Sequence, residues 1–397
     1  MNVFLSALPV FTALLTVCGI GYSLLALWGL RSFRRAVRLQ GTASPGTMPG
    51  VSVLKPLRGA DPRMQAGFIS HCVQQYDGEF ELIFGVGTPE DAAVAEVERL
   101  RAEFPQVPIQ LIVCPARLGT NGKVSSLAQM LPHARFEHVL VNDSDILVGP
   151  AYLQNVMRPF AAEAAATDQA KAKPLGLVTV PYTGQAGRSG FARLEALGIA
   201  TDFIPGVLAA RSLEGGLRFG LGSTLATTKT ALAAIGGFEA LADQLADDYE
   251  LGARLYRAGY CVELVAEIVA TSIPAYTLRG FADHQLRWSR STRDSRRTGY
   301  LGLLFTYVLP WAIFTVIASG GALWSVSLLS LALLVRLLVA LSVGVGLLRD
   351  PQVLRDLFLL PVRDLFGLFF WAWSYAGDTV VWRGERLRLH RGTLERA

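Results

Sequence analysis

Charge is scarce in this chain, and at its start it is missing altogether. Asp, Glu, Lys and Arg make up 17% of the 397 residues against 51% hydrophobic ones, and no charged residue occurs between Val3 and Leu30. A purely water-solvated globule carries more charge than this, so part of the chain is expected to be solvated by lipid. Cysteine is equally sparse. The four thiols, Cys18, Cys72, Cys114 and Cys261, are far apart and show no CxxC spacing, which excludes a disulfide framework and a cysteine zinc site and fits a reducing compartment. The formal charge of +5 does not point to nucleic acid. Its arginines flank apolar runs, with Arg31, Arg34, Arg35 and Arg38 after the first and Arg287, Arg290, Arg293, Arg296 and Arg297 before the second. That is the signature of cytoplasmic membrane flanks.

What is present divides the chain into segments. Residues 3–30 are long enough, at about 1.5 Å per residue, to cross a bilayer as a helix. The basic cluster follows this run and no small-residue cleavage site is evident, so a secretory signal peptide fits poorly; the N-terminus is expected outside. Residues 31–50 form a basic flank and the linker GTASPGTMPG. From 51 to 298, short β-rich runs such as Val51-Ser52-Val53-Leu54 and His138-Val139-Leu140-Val141 alternate with helical stretches. This alternation indicates an α/β domain with a mostly parallel sheet covered on both faces. Residues 300–348 read as two membrane helices broken at Ser319-Gly320-Gly321. Residues 351–382 carry Asp356, Arg363, Asp364 and Asp378 and read as a re-entrant or interfacial pair, because a third crossing would put the basic tail, 383–397, outside. The expected location is a bacterial inner membrane with the α/β domain facing the cytoplasm.

Three constellations carry chemistry. In an open α/β sheet ligands collect at the carboxyl ends of strands, where Asn142-Asp143-Ser144-Asp145 places two carboxylates one residue apart. Such a pair reaches a hard divalent cation bridging a diphosphate, although Asp-x-Asp also serves ordinary turns. Asp247-Asp248 opens a helix-like stretch downstream of the glycine-rich segment Gly215 to Thr224. It reads as an N-terminal helix cap or, beside a floor that lets a ligand approach, as a general base toward a hydroxyl. His284-Gln285-Leu286-Arg287-Trp288 stands before the second apolar block, where Arg and Trp anchor at an interface; equally, the Arg287 fork suits diphosphate oxygens and Trp288 suits stacking. Arg336, inside the third apolar run, reads as a snorkelling residue or as one facing a headgroup cleft.

Together the order and spacing of these segments resemble the ceramide glucosyltransferase family, glycosyltransferase family 21, whose members carry D, D, D and (Q/R)xxRW motifs. The resemblance covers nearly the whole chain and implies a GT-A fold. Lys55-Pro56-Leu57-Arg58-Gly59 looks like the family's opening strand motif, so Lys55 and Pro56 are implied to lie at the nucleotide. Asp91 aligns with the first aspartate, implying nucleotide binding. Gly119-Thr120-Asn121-Gly122-Lys123 matches a Gly-x-Asn-x-Lys segment, which implies that Lys123 lies near the donor phosphates. Asp143 aligns with the second aspartate and Asp248 with the third, the implied base. One position departs: His284 stands where Gln or Arg is usual, a shorter side chain whose charge depends on pH, while Arg287 and Trp288 keep the core of the motif.

The implied reaction moves a sugar, glucose or N-acetylglucosamine, from a UDP-sugar to a membrane lipid, with Mg2+ or Mn2+ held by Asp143 and Asp145 and with inversion at the anomeric carbon. The acceptor is ceramide by the family's name, or a hopanoid by similarity to bacterial relatives. Two readings of other classes compete. One is a membrane-bound nucleotidyl or phosphoryl transferase using the same metal chemistry; the other is a silent scaffold, against which all three aspartates stand.

Overall fold

The computed structural model describes residues 2–40, 46–61, 63–165, 173–382 and 385–396; the first half of the expected linker and the start of the tail lie outside them. Four strands, β1 (Val51–Pro56), β2 (Phe80–Val86), β3 (Ile109–Val113) and β4 (His138–Val141), run parallel. All six residues of β1 are buried, as befits a strand covered on both faces. The helices between them present narrow apolar stripes; Ala93–Glu103, for instance, buries Ala93, Val97 and Leu100 at helical spacing.

The second half of the sheet is less regular. Strands β5 (Leu175–Thr179), β6 (Tyr182–Ala186), β7 (Leu225–Thr228), β8 (Cys261–Leu264) and β9 (Val269–Ile273) follow, and the main sheet has the order β3-β2-β1-β4-β7-β5-β8. Only β7 runs against its neighbours β4 and β5. Because β7 is reversed, its first residue, Leu225, pairs with Val141 at the carboxyl end of β4. The glycine-rich segment before β7 is thereby delivered to the edge that carries Asp143 and Asp145. Strands β6 and β9 make a separate parallel pair beside that edge.

Apolar helices dock onto this domain. Among the described residues, three are long and apolar enough to cross a membrane, Ala7–Leu39, Gly190–Leu213 and Leu323–Val345, and a fourth candidate is the pair Arg297–Phe305 and Val308–Ala318, bent by 45°. The first packs tightly on the bent pair: Gly19 lies so close to Val308 that an added Cβ would stand 2.8 Å from its Cα. The run Gly190–Leu213 falls inside the segment read from sequence as purely soluble. It carries Arg193, Glu195 and Asp202 and is largely covered by the rest of the protein.

Arg336 does neither of the things its sequence position allowed. It is 4% exposed, its Nε lies 2.9 Å from Asp364 Oδ2, and its Nη2 lies 2.6 Å from Asp202 Oδ1. It ties the Leu323–Val345 helix to Gly190–Leu213 and to the helix Leu360–Ser374. The acidic residues of the 351–382 region thus serve as internal counter-charges: Asp356 likewise pairs with Arg193 and Arg355.

The tail is a folded element. Strands β10 (Thr379–Trp382), β11 (Glu385–His390) and β12 (Thr393–Arg396) form an antiparallel meander. Alternate residues Val380, Leu387, Leu389 and Leu394 bury against Leu245 of the α/β domain, while the intervening Arg386, Arg388 and His390 are exposed. The basic reading of the tail saw one face of this sheet.

Candidate active site

The carboxyl ends of β1 and β4 converge on one cluster. Lys55, the fifth residue of β1, is completely buried and donates to the backbone oxygen of Asp143 at 3.0 Å. Burial lowers its pKa to about 7, against the opposing pull of Asp145 and Asp143. Beneath the turn after β4, buried Asn142 donates to Ser223 O at 2.7 Å and to Tyr152 Oη at 2.9 Å, and its Oδ1 lies 3.1 Å from His71 Nε2. This satisfied network fixes the turn that aims the two acids.

Lys123 joins the strand-end acid Asp143 to the helix Asp247–Arg257. Asn121 caps the helix Gly122–Met130 through Val124 N, which sends the next side chain but one into the cluster. There Lys123 Nζ stands 2.9 Å from Asp143 Oδ1 and 3.2 Å from Asp247 Oδ2. Burial alone would lower the lysine pKa, but Asp143 and Asp247 override it and keep the ammonium charged. Asp143 is the open member of the group, with 44% of its side chain exposed.

Asp145 points the other way. Its Oδ2 accepts from Thr271 Oγ1 at 2.5 Å and from Ser272 N at 3.1 Å, so β9 holds it in place. Burial and the neighbouring Asp143 raise its pKa. Among the described residues no group of three or more His, Cys, Asp or Glu side chains is arranged to hold a metal. Asp143 and Asp145 are the carboxylates at this edge that could contribute to holding a cation.

Asp248 opens the Asp247–Arg257 helix against the glycine-rich floor. A Cβ added to Gly222 would come within 2.8 Å of Asp248 Oδ2, and one added to Gly252 would meet Gly220 N at 2.3 Å. At Gly252, where the added Cβ would meet backbone, close approach requires glycine, whereas at Gly222 the Asp248 carboxylate would have to move. Burial raises the Asp248 carboxyl pKa to about 6, with Asp247 adding to the rise and Lys123 opposing it.

The remaining expected residues fall into two places. Asp91 accepts from Gly59 N at 2.9 Å and from Ala93 N at 2.9 Å. It therefore pins the loop after β1, where Gly59 has a φ of 71°, to the start of the helix Ala93–Glu103. On helix Leu278–Ser295, His284 stacks on Tyr276 with centroids 5.3 Å apart and lies beside Trp288 at 5.2 Å. Its Nδ1 is 3.0 Å from Glu195 Oε2, at an angle that makes no hydrogen bond. Arg287 is half-buried. The Tyr276 hydroxyl, whose pKa is raised mainly by burial, also feels Glu195, Arg287 and Asp145, so this helix faces the same cluster.

Two site residues carry no signal in the sequence, and for a third, Asp247, the sequence shows only its place beside Asp248 at a helix start. Asp247 is the second carboxylate on Lys123. Glu195, 3% exposed, meets His284 from the Gly190–Leu213 run. Tyr182 begins β6 among the acids; burial raises its pKa, followed by Asp248, Glu195, Asp143 and Asp145. Only Asp247 had a local signal, its adjacency to Asp248.

A mostly parallel sheet with acids and buried lysines at its carboxyl edge, joined to apolar helices long enough to cross a bilayer, defines the class: an α/β domain carried with membrane-type helices. The model of glycosyl transferase family 21 matches residues 11–395, and the chain belongs to that family. Among its relatives, ceramide glucosyltransferase 1 of Caenorhabditis elegans is 27% identical over 282 residues, covering 68% of this chain and 58% of the relative. Ceramide glucosyltransferase 3 of the same organism is 28% identical over 244 residues, covering 61% and 50%. The matches thus span little more than half the length of these relatives. Among solved structures, the mannosyltransferase PcManGT from Pyrobaculum calidifontis, in complex with GDP-Man and Mn2+, aligns over 91% of this chain and 97% of its own with a TM-score of 0.48 and 17% identity.

Proposed function

We propose that the chain is an inverting glycosyltransferase that carries glucose or N-acetylglucosamine from a UDP-sugar to a hydroxyl of a membrane lipid, ceramide or a hopanoid. The observation that carries this reading is the single charge cluster in which Lys123 bridges Asp143, at the strand end, to Asp247, the neighbour of Asp248. Groups suited to a departing diphosphate and a group suited to a proton are held together at one mouth.

The chemistry follows from charge. Cleaving the bond between sugar and diphosphate leaves negative charge on the leaving group, which fixed cations in a partly dry site stabilise. Lys123 supplies one and Arg287 a second. Asp143 and Asp145 offer hard oxygen donors, a set that fits Mg2+ or Mn2+ bound through one or two carboxylates and substrate phosphates. Bound there, the ion would offset the charge of the diphosphate. Asp248, with its raised pKa, takes the proton of the acceptor hydroxyl. Attack on the face opposite the leaving group in one displacement inverts the anomeric centre.

Two features support a lipid acceptor. The domain sits between apolar helices at both ends of the chain, which places a bilayer headgroup at high local concentration. The relatives are themselves called ceramide glucosyltransferases. The arginines after the first run favour a cytoplasmic domain on a bacterial inner membrane. The test incubates the purified protein and Mg2+ or Mn2+ with UDP-glucose or UDP-N-acetylglucosamine, each against ceramide and a polyhydroxylated hopanoid. UDP release matched by a lipid-linked sugar in the mass spectrum is expected; nucleotide or phosphate transferred to lipid would contradict it.

A further inference from the structure

The hairpin between β11 and β12 has a two-residue loop. His390 pairs with Thr393, and between them Arg391 and Gly392 both take positive φ, 50° and 84°. Such a turn matches the twist of the strands and favours Asn-Gly; an arginine in its first position carries backbone strain that asparagine or glycine avoids. The Arg391 side chain is exposed and lines a pocket of about 410 Å3 whose wall includes Arg293, Arg297, Leu301, Tyr375 and His390.

Charge here is unbalanced toward positive. The two carboxylates of the wall are already engaged: Asp378 Oδ1 accepts from Arg293 Nη2 at 2.6 Å, and Asp294 Oδ2 accepts from Gly392 N. Arg297 Nη2 stands 3.8 Å from Asp294 Oδ1, and the Arg297 side chain is 68% exposed; that separation is outside hydrogen-bond range. Arg297 and Arg391 therefore present two accessible guanidinium groups, whose planar donors pair with phosphate oxygens.

The surroundings are those of a membrane interface. Leu301, one helical turn beyond Arg297, is 56% exposed and belongs to the first half of the bent apolar pair. Tyr375 follows the helix Leu360–Ser374 and packs against Trp371 at 5.3 Å and Tyr300 at 5.9 Å between ring centroids. Basic side chains beside a Tyr and Trp cluster at the ends of apolar helices mark the headgroup level, and anionic lipids concentrate in the cytoplasmic leaflet.

The same turn reaches the acid cluster through printed bonds of the backbone. Leu245 N donates to Gly392 O at 3.2 Å, and Leu394 N donates to Asp243 O at 2.7 Å. Arg391 is thus one residue from a hydrogen bond that ends two residues before Asp247, the partner of Lys123.

We propose that this pocket binds the phosphate of an anionic phospholipid headgroup through Arg297 and Arg391, and that the bound lipid holds the Arg391-Gly392 turn and with it the loop before Asp247 and Asp248. Binding is independent of the reaction assigned above; its effect on turnover rests on that reading. The test places full-length protein in nanodiscs of phosphatidylcholine alone or with about 20 mol% phosphatidylglycerol and follows amide hydrogen exchange in peptides covering 243–248 and 390–394, a readout that needs no turnover. The pocket variant is Arg297→Gln with Arg391→Asn. Asparagine suits the turn better than arginine, so a broken hairpin does not account for a loss. Arg99→Gln with Arg135→Gln, two exposed arginines outside the pocket, controls for net charge.

Phosphatidylglycerol is expected to slow exchange by about five-fold or more in both peptides of wild type and control, and to leave the pocket variant unchanged. UDP-sugar turnover should rise by about two-fold or more in the same two proteins only, the size of effect that a modest bias on a mobile loop produces. Millimolar inorganic phosphate in phosphatidylcholine discs should do neither. Equal slowing in the pocket variant, equal slowing by inorganic phosphate, no slowing in wild type, or turnover that phosphatidylglycerol fails to raise in an otherwise active wild type overturns the proposal. No glycolipid in any disc counts instead against the proposed function, and the exchange data still decide the pocket.

Discussion

Leu394 donates its backbone N–H to Asp243 O at 2.7 Å, so the last strand of the chain is stitched to the loop leading into Asp247 and Asp248. The seam continues on both sides: Leu245 N donates to Gly392 O at 3.2 Å, Thr120 Oγ1 to Leu394 O at 3.2 Å, and Gly392 N to Asp294 on the helix of Arg287. Two loops and a helix that meet at the site are held by one small sheet. Truncation after Asp378 should therefore lower kcat at least ten-fold while circular dichroism shows the α/β domain intact. Leu394→Ala, which leaves a cavity against Leu245, should cost about 2 to 4 kcal/mol where the sheet is docked. Full activity in the truncated protein would show that the sheet does not position the site.

Lys123 pairs with two carboxylates at once. Lys123→Met should reduce kcat/KM by ~10²- to 10³-fold, the range for losing one preorganised charge at a developing anion. Lys123→Arg should recover little, because a buried point-charge site does not fit a planar fork. Steady-state kinetics with varied UDP-sugar check both.

The raised pKa of Asp248 sets a pH limb. A base works as the carboxylate, and burial together with Asp247 keeps the proton on up to about pH 6. Turnover should therefore fall about ten-fold per unit below that pH and level off above it. Removing the opposing Lys123 should move the limb to higher pH. A kcat profile flat down to pH 4.5 would be incompatible with Asp248 as the titrating group.

Arg336 holds Asp364 and Asp202 among apolar helices. Arg336→Met leaves a buried carboxylate without its partner and should cost about 3 to 5 kcal/mol, seen as a lower Tm in detergent. Pairing it with Asp364→Leu should restore part of the loss. A Tm unchanged in the single variant would contradict the pairing.

How far the sequence reached depended on how local the signal was. The parallel half of the sheet was legible because β1 and β4 are short apolar runs, and the acid pair was legible because Asp143 and Asp145 follow one of them directly. Asp248 was legible as one of an acid pair opening a helix-like stretch, and Lys55 and Lys123 only through the family resemblance. Lys123 meeting Asp247 across 124 positions in sequence had no such marker, nor did Glu195 meeting His284 or Asp202 meeting Arg336. Tyr182 enters the site because β6 pairs with β9, a consequence of topology. The tail misled for a different reason: in β11 the apolar Leu387 and Leu389 alternate with Arg386, Arg388 and His390, and charge counted without period concealed a strand.

The most direct test is Asp248→Asn, measured for turnover and for UDP-sugar affinity in the same preparation. The substitution keeps the shape of the side chain against Gly222 and removes its capacity to accept a proton. Turnover lower by ~10²-fold or more with donor Kd nearly unchanged is the expected result. Turnover within a few-fold of wild type would remove Asp248 from the base role and, with it, the proposed division of labour in the cluster.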